Sequence, residues 1–303
     1  MARNSLFSSL RERLGGPFHG GGSKWVATAS VLGVTAVLLW FAFQQWGALV
    51  TKNSQFAIDA NNLQVGPPQP TWIYGNVKAE VIRDASLEEL NSLDHDLVPR
   101  LIDAFEMHPW VAEVMHLYKK HPNEVIVQLA YRKPVAMVEV IEAGVRRLVP
   151  VDSKGVVLPT DGFHNQLDSA ENYPRISAGR NMPPGPKGTT WGDSRIRGAA
   201  AIANLLGDDW RQLALHRITA NPSSDGAGPV FVLRSRNDNS LIWGRAPGEE
   251  VVGEPQAATK LQRLATFIQH HKTIEDAPLG SVFDLREATG SETRTARQVN
   301  ENR

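Results

Sequence analysis

The chain has 303 residues, which at about 150 residues per domain suggests roughly two folded units. Lysine plus arginine and aspartate plus glutamate both number 32, so there is no general basic excess of the kind that marks nucleic-acid binding. Cysteine is absent, which excludes disulfide scaffolds, thiolate zinc sites, iron–sulfur clusters and cysteine nucleophiles together.

Residues 1–24 are rich in Gly, Ser and Arg, so disorder is expected there. From Trp25 to Phe43 there follow 19 residues without a charge. A helix of that length approaches the roughly 30 Å hydrocarbon thickness of a bilayer. The sequence therefore predicts a transmembrane helix over 25–46, with Trp25, Val31, Leu32, Val37, Leu38, Leu39, Trp40, Phe41 and Phe43 in the span and Trp46 near its end. Arg3, Arg11, Arg13 and Lys24 precede it against the single acid Glu12. The positive-inside rule then puts the N-terminus in the cytoplasm and the bulk of the chain outside it, in a single-pass plasma-membrane protein. A signal peptide fits less well, because the apolar run is long and no small-x-small cleavage site follows. A buried core helix fits less well because the run is apolar on all sides.

Residues 47–70 read as a juxtamembrane linker ending in the stiff Gly66-Pro67-Pro68-Gln69-Pro70. Thr71 to Ile82 has strand character, and Ser86-Leu87-Glu88-Glu89 matches a capping box that opens a helix. Val98, Leu101, Ile102 and Phe105 predict a helix ending near Met107. Val111 to Leu117 reads as a strand and His121-Pro122-Asn123 as a turn. Val125, Val127, Leu129 and Tyr131 alternate with other residues at the period of a half-buried strand. Residues 71–142 thus form a strand–helix–helix–strand–strand module, a small sheet on two helices.

Residues 143–287 are expected to be rich in short strands. Hairpins are expected around Asp152-Ser153-Lys154-Gly155 and Asn237-Asp238-Asn239. Residues 160–192 read as an irregular loop whose proline-rich core is 182–188. Helices are expected at 194–206, stopped by Gly207, and at 256–271, and a last strand at 281–286. Residues 288–303 read as a disordered tail. The fold class is α+β: one transmembrane helix, a small α+β domain, then a β-rich domain with flanking helices.

Chemical motifs are missing. No GxSxG, HExxH, P-loop or dinucleotide fingerprint is present. His270-His271, His116 with His121, and Asp208-Asp209 read best as solvated polar residues rather than ligands. No cofactor, metal, nucleic acid or small-molecule substrate is expected, and the chain is not expected to be an enzyme.

Several local patterns stand in a telling order: Pro109-Trp110-Val111, His121-Pro122-Asn123, Arg132-Lys133-Pro134-Val135-Ala136, Asp152-Ser153-Lys154-Gly155, Pro174-Arg175-Ile176-Ser177-Ala178-Gly179, Lys260-Leu261 and Asp284-Leu285-Arg286. Singly each is common, and each has a structural reading. Trp110 suits a core position, Pro134 enforces extended backbone before it, and the Asp152 segment is a turn in any protein. Together they resemble the bacterial cell-division family FtsQ/DivIB. The resemblance implies a POTRA-like domain at 71–142 followed by the β domain. It also implies a non-enzymatic scaffold of the septum-assembly complex, located at the division site. Its implied partners are small division proteins of the FtsB and FtsL kind, with the lipid bilayer holding the anchor. The partner-binding residues it implies are Ser281, Val282, Phe283, Asp284, Leu285 and Arg286, with Lys260, Trp243 and Gly244 nearby. Unlike the family, this chain follows Asp284-Leu285-Arg286 with Glu287-Ala288-Thr289-Gly290, so a shortened last strand is expected. An envelope transport protein with POTRA modules and a membrane-tethered enzyme are the competing readings. The first needs a C-terminal barrel of many strands, which the sequence after residue 143 lacks.

Overall fold

The structure is a computed structural model and describes residues 22–51, 57–59, 62–87, 90–121, 123–161, 172–177, 182–223, 226–271, 273–287 and 294–295. In chain order the elements are α1 (Gly22–Thr51), β1 (Ala57–Ile58), β2 (Leu63–Gly66), α2 (Val77–Asp84), β3 (Leu90–Asn91), α3 (Leu97–Glu106), β4 (Val111–Lys120), β5 (Glu124–Tyr131), β6 (Ala136–Glu142) and β7 (Val145–Val151). There follow β8 (Arg175–Ser177), α4 (Ser194–Leu206), α5 (Asp209–Gln212), β9 (Leu215–Pro222), β10 (Pro229–Ser235), β11 (Ser240–Gly244), α6 (Ala257–His271), a 3-10 turn (Ile274–Asp276), β12 (Ser281–Asp284) and β13 (Arg294–Thr295). The fold is α+β.

The expected membrane crossing is corrected. Among the described residues no helix is long and apolar enough to cross a membrane. α1 runs over the 30 residues Gly22–Thr51, and Thr28, Ser30, Gly33 and Thr35 interrupt its apolar run. The Thr35 hydroxyl donates to the Val31 carbonyl at 2.7 Å. Val31, Leu32, Val37, Leu38, Leu39, Trp40, Phe41 and Phe43 are exposed along α1. The Trp25 side chain lies outside the described residues. The transmembrane part of the fold class, and the single-pass plasma-membrane location with its orientation, fall with the span.

Two cores follow. The first sits under a three-stranded sheet of order β2-β5-β4, with β2 parallel and β4 antiparallel to β5. Val125, Val127 and Leu129 alternate inward from β5 and meet Val77 and Val81 of α2 and Leu97, Leu101 and Phe105 of α3. Trp110 is buried in this core, as its structural reading anticipates. The order strand–helix–helix–strand–strand is present, but its first strand is β2, not 71–82. Within 71–82 the apolar Val77 and Val81 are four apart and share one helical face. The Asn76 carboxamide caps α2 by accepting from the Ala79 amide at 3.0 Å. Gln69 holds the entry turn, donating to the Ile73 and Gly75 carbonyls and accepting from the Val77 amide at 3.0 Å. Ser86 follows the end of α2 with φ 51°, so it opens no helix; Glu88 and Glu89 lie outside the described residues.

The second core sits on an eight-stranded mixed sheet of order β13-β12-β11-β10-β9-β8-β6-β7. The chain enters it at β6, directly after Arg132–Val135. α4 and α6 cover one face, packing Ile196, Ala199, Ile202, Leu264 and Phe267 on Val138, Ile176, Ile218, Leu233 and Leu241. The expected turn-back at Asp152–Gly155 is present but short, closed by the Leu158 amide donating to the Pro150 carbonyl at 2.9 Å, while the long hairpin here is β6–β7, turned by Ala143 and Gly144 at positive φ. Val156 and Val157 contribute only isolated bridges. The helices at 194–206 and 257–271 and the β10–β11 hairpin fall where the sequence places them. The N-terminal 21 residues lie outside the described part, as do most of the proline-rich loop's flanks and the tail other than β13.

Candidate functional site

The last strand lies at one end of the large sheet. β12 adds parallel to β11, pairing Ser240 with Val282, Leu241 with Phe283 and Ile242 with Asp284. Among the described residues its outer side is covered only by β13, which pairs antiparallel at Ser281 and Val282. The Leu285 amide donates to the Ile242 carbonyl at 3.0 Å, so odd-numbered residues turn their backbone groups to β11. Val282 and Asp284 therefore present theirs to the outer edge, and among the described residues no strand pairs with Asp284 there.

The residues singled out by sequence divide into two groups. Ser281, Phe283, Leu285, Trp243, Gly244 and Lys260 are buried and hold the strand from beneath. Val282 and Asp284 are half-buried and Arg286 is exposed, so these three lie on the solvent side of the strand. Phe283 meets Phe267 of α6 edge to face, ring centroids 4.7 Å apart. The Arg286 guanidinium grips Asp284 in a fork, Nη2 to Oδ2 at 2.6 Å and Nε to Oδ1 at 2.9 Å. That hydrogen bond holds Arg286 still more firmly in its charged form.

Lys260 is fully buried and its ammonium donates to Glu254 Oε1 at 2.7 Å and sits 5.4 Å from the centre of the Trp243 ring. The same carboxylate oxygen accepts from the Arg245 amide at 2.7 Å. Gly244 makes this possible: its φ is 94°, and a methyl group there would run into the Glu254 carboxylate. Asn239 pins the start of β12, its carboxamide donating to the Ile274 carbonyl at 2.8 Å and accepting from the Ser281 amide at 3.0 Å. Arg263 Nη1 donates to the Leu285 carbonyl at 2.7 Å. Sequence reasoning missed Glu254, Arg263 and the role of Asn239. The turn residues Asn237-Asp238-Asn239 were visible, but not that one would reach 42 residues ahead to Ser281.

Elsewhere the chemistry is sparse. Among the described residues no group of three or more metal-ligating side chains comes together. A cavity of about 150 Å³ lies between Lys133, Tyr173, Asn204, Asp208 and Arg211. An open cleft of about 560 Å³ runs beside β2, past Gln64, Gln69 and Tyr131. Burial raises the Tyr131 phenol above its ordinary value. Asp208, at the N-cap position of α5, pairs with Arg211 at 3.2 Å.

A scan against protein-family models finds no match, and no curated protein matches the chain.

Proposed function

We propose that this chain is a non-enzymatic scaffold of the bacterial cell-division complex, of the FtsQ/DivIB kind, which holds small division proteins at the β12 edge of its large sheet. The small β2-β5-β4 module plays the part of the POTRA-like domain. The observation that carries this reading is the edge itself. A short parallel strand is anchored from below by Phe283, Leu285 and the buried Lys260–Glu254 pair, while among the described residues its outer backbone is paired at only two positions. Such an edge offers unpaired amide and carbonyl groups to an incoming strand, and alternate side chains set its specificity. The ordered sequence patterns from Pro109-Trp110-Val111 to Asp284-Leu285-Arg286 support the same reading.

The test is co-purification of FtsB- and FtsL-like proteins with the tagged full-length chain, beside two variants. Truncation after Glu287 removes β13 and should leave capture equal or stronger. Val282→Lys puts a charge where the incoming strand would lie and should weaken capture about tenfold. Circular dichroism checks that both variants fold. Recovery of no division protein by the parent chain, or undiminished capture by a folded Val282→Lys, overturns the proposal.

A further inference from the structure

The geometry points to a second docking surface, for an acidic α-helix of a partner protein, on the face of the large sheet opposite α4 and α6, where Arg175, Arg217 and Arg234 stand in one line. Arg234 of β10 pairs in register with Arg217 of β9, and Arg217 with Arg175 of β8. Their neighbours Leu233, Ile218 and Ile176 point into the core, so the three arginines share the other face. Like charges opposite one another across strands repel, and three in adjacent strands is a costly pattern unless an anion meets it.

The protein supplies little of that anion. On this face Glu139 accepts from Arg217 Nη2 at 3.0 Å and pairs with Arg146 at 3.2 Å. Neither Arg175 nor Arg234 has an ion pair among the described residues, and Arg175 Nε is buried without a hydrogen-bond partner. Arg236 adds a further exposed cation beyond the end of β10. His216 registers the field: its imidazole is held below the ordinary value, first by burial and then by Arg175, Arg236 and Arg217.

Spacing selects the occupant. Neighbouring strands are about 4.8 Å apart, so the row repeats at that interval. Carboxylates at i and i+4 on a helix start from Cβ atoms about 5–6 Å apart, close to this repeat. Alternate side chains of an extended peptide are about 6.8 Å apart and drift out of step. Thr219 and Ser177, two residues along on the same face, carry short side chains. The surface is separate from the β12 edge, so either can fail without the other.

The test uses the full-length chain and fluorescence anisotropy at low salt with three labelled probes. One is an alanine-rich helical peptide with glutamates at i, i+4, i+7 and i+11. The second has the same composition with glutamates distributed all round the helix, and the third is linear polyphosphate. The one-faced peptide should bind at least about tenfold more tightly than the other two, and physiological salt should weaken it. Arg234→Gln and Arg175→Gln should each weaken it about fivefold or more, and Arg234→Lys less, because charge without the fork keeps part of the contact. Bound peptide should raise the His216 titration midpoint in NMR, which a general change in folding would not do. Truncation after Glu287 should leave peptide binding unchanged. Equal binding of the all-round peptide, tighter binding of polyphosphate, or indifference to both Arg→Gln substitutions overturns the proposal.

Discussion

Lys260 shows how a single buried charge organises the neighbourhood of the last strand. Its ammonium is fully buried, and Glu254, itself nearly so, gives the only carboxylate within reach among the described residues. Replacing one member of such a pair strands the other in a poor solvent, a loss of about 3–5 kcal/mol, whereas replacing both by neutral groups of similar volume costs far less. Lys260→Met should therefore lower unfolding stability by several times more than Lys260→Met combined with Glu254→Gln. Urea denaturation of the three proteins gives the coupling. Additive losses would mean that the pair does not act as a unit. A lysine in an amphipathic helix ordinarily reads as solvated; here nothing in the local sequence says that Glu254, six residues earlier, curls back to meet it.

At the scale of the elements, legibility followed the range of the forces involved. α3, α4, α6, β5 and the β10–β11 hairpin carry their own periodicity and punctuation, and the sequence shows them. β8 and β9 were missed because neither has a strong alternation of its own; β8 pairs with β6 and β9, both far off in the chain, while β9 pairs with the neighbouring β10. α1 was over-read, because an uncharged run specifies apolarity but not that a crossing results. α2 was misread as a strand from its β-branched residues, yet its helix is set by the Asn76 cap and by Val77 and Val81 packing on α3 and β5. At the candidate site the strand 281–284 was visible, whereas the division between buried anchors and outward residues was not, since it depends on which strand lies alongside. The cap can be weighed directly. Asn76→Ala should cost about 1 kcal/mol, and Asn76→Ser should recover most of it. Thermal unfolding of the two variants checks this; equal losses would mean that the cap contributes little and that packing alone sets α2.

The whole molecule is held together where its two cores meet, at the turn after β7. Asp152 is buried and works in both directions. Oδ1 accepts from the Lys154 and Val156 amides, each at 2.9 Å, which folds Asp152-Ser153-Lys154-Gly155 into its turn. Oδ2 takes the Arg132 guanidinium at 2.7 Å, and Arg132 in turn accepts at its carbonyl from the Trp72 indole at 3.1 Å. Just beyond the turn, Leu158 is fully buried in the first core although it follows the first strands of the second sheet. One carboxylate thus joins the β5 end of one sheet to the β7 end of the other. Asp152→Asn keeps an acceptor for the turn amides but gives up the ion pair; Asp152→Ala gives up both. If this clasp couples the cores, the parent chain unfolds in a single transition and Asp152→Ala in two. Hydrogen exchange would then assign residues 57–131 and 136–285 to separate units. Asp152→Asn should stay cooperative at reduced stability, because the turn that seats Leu158 survives. A single transition in Asp152→Ala would show instead that apolar contact at Leu158 couples the cores without the charge.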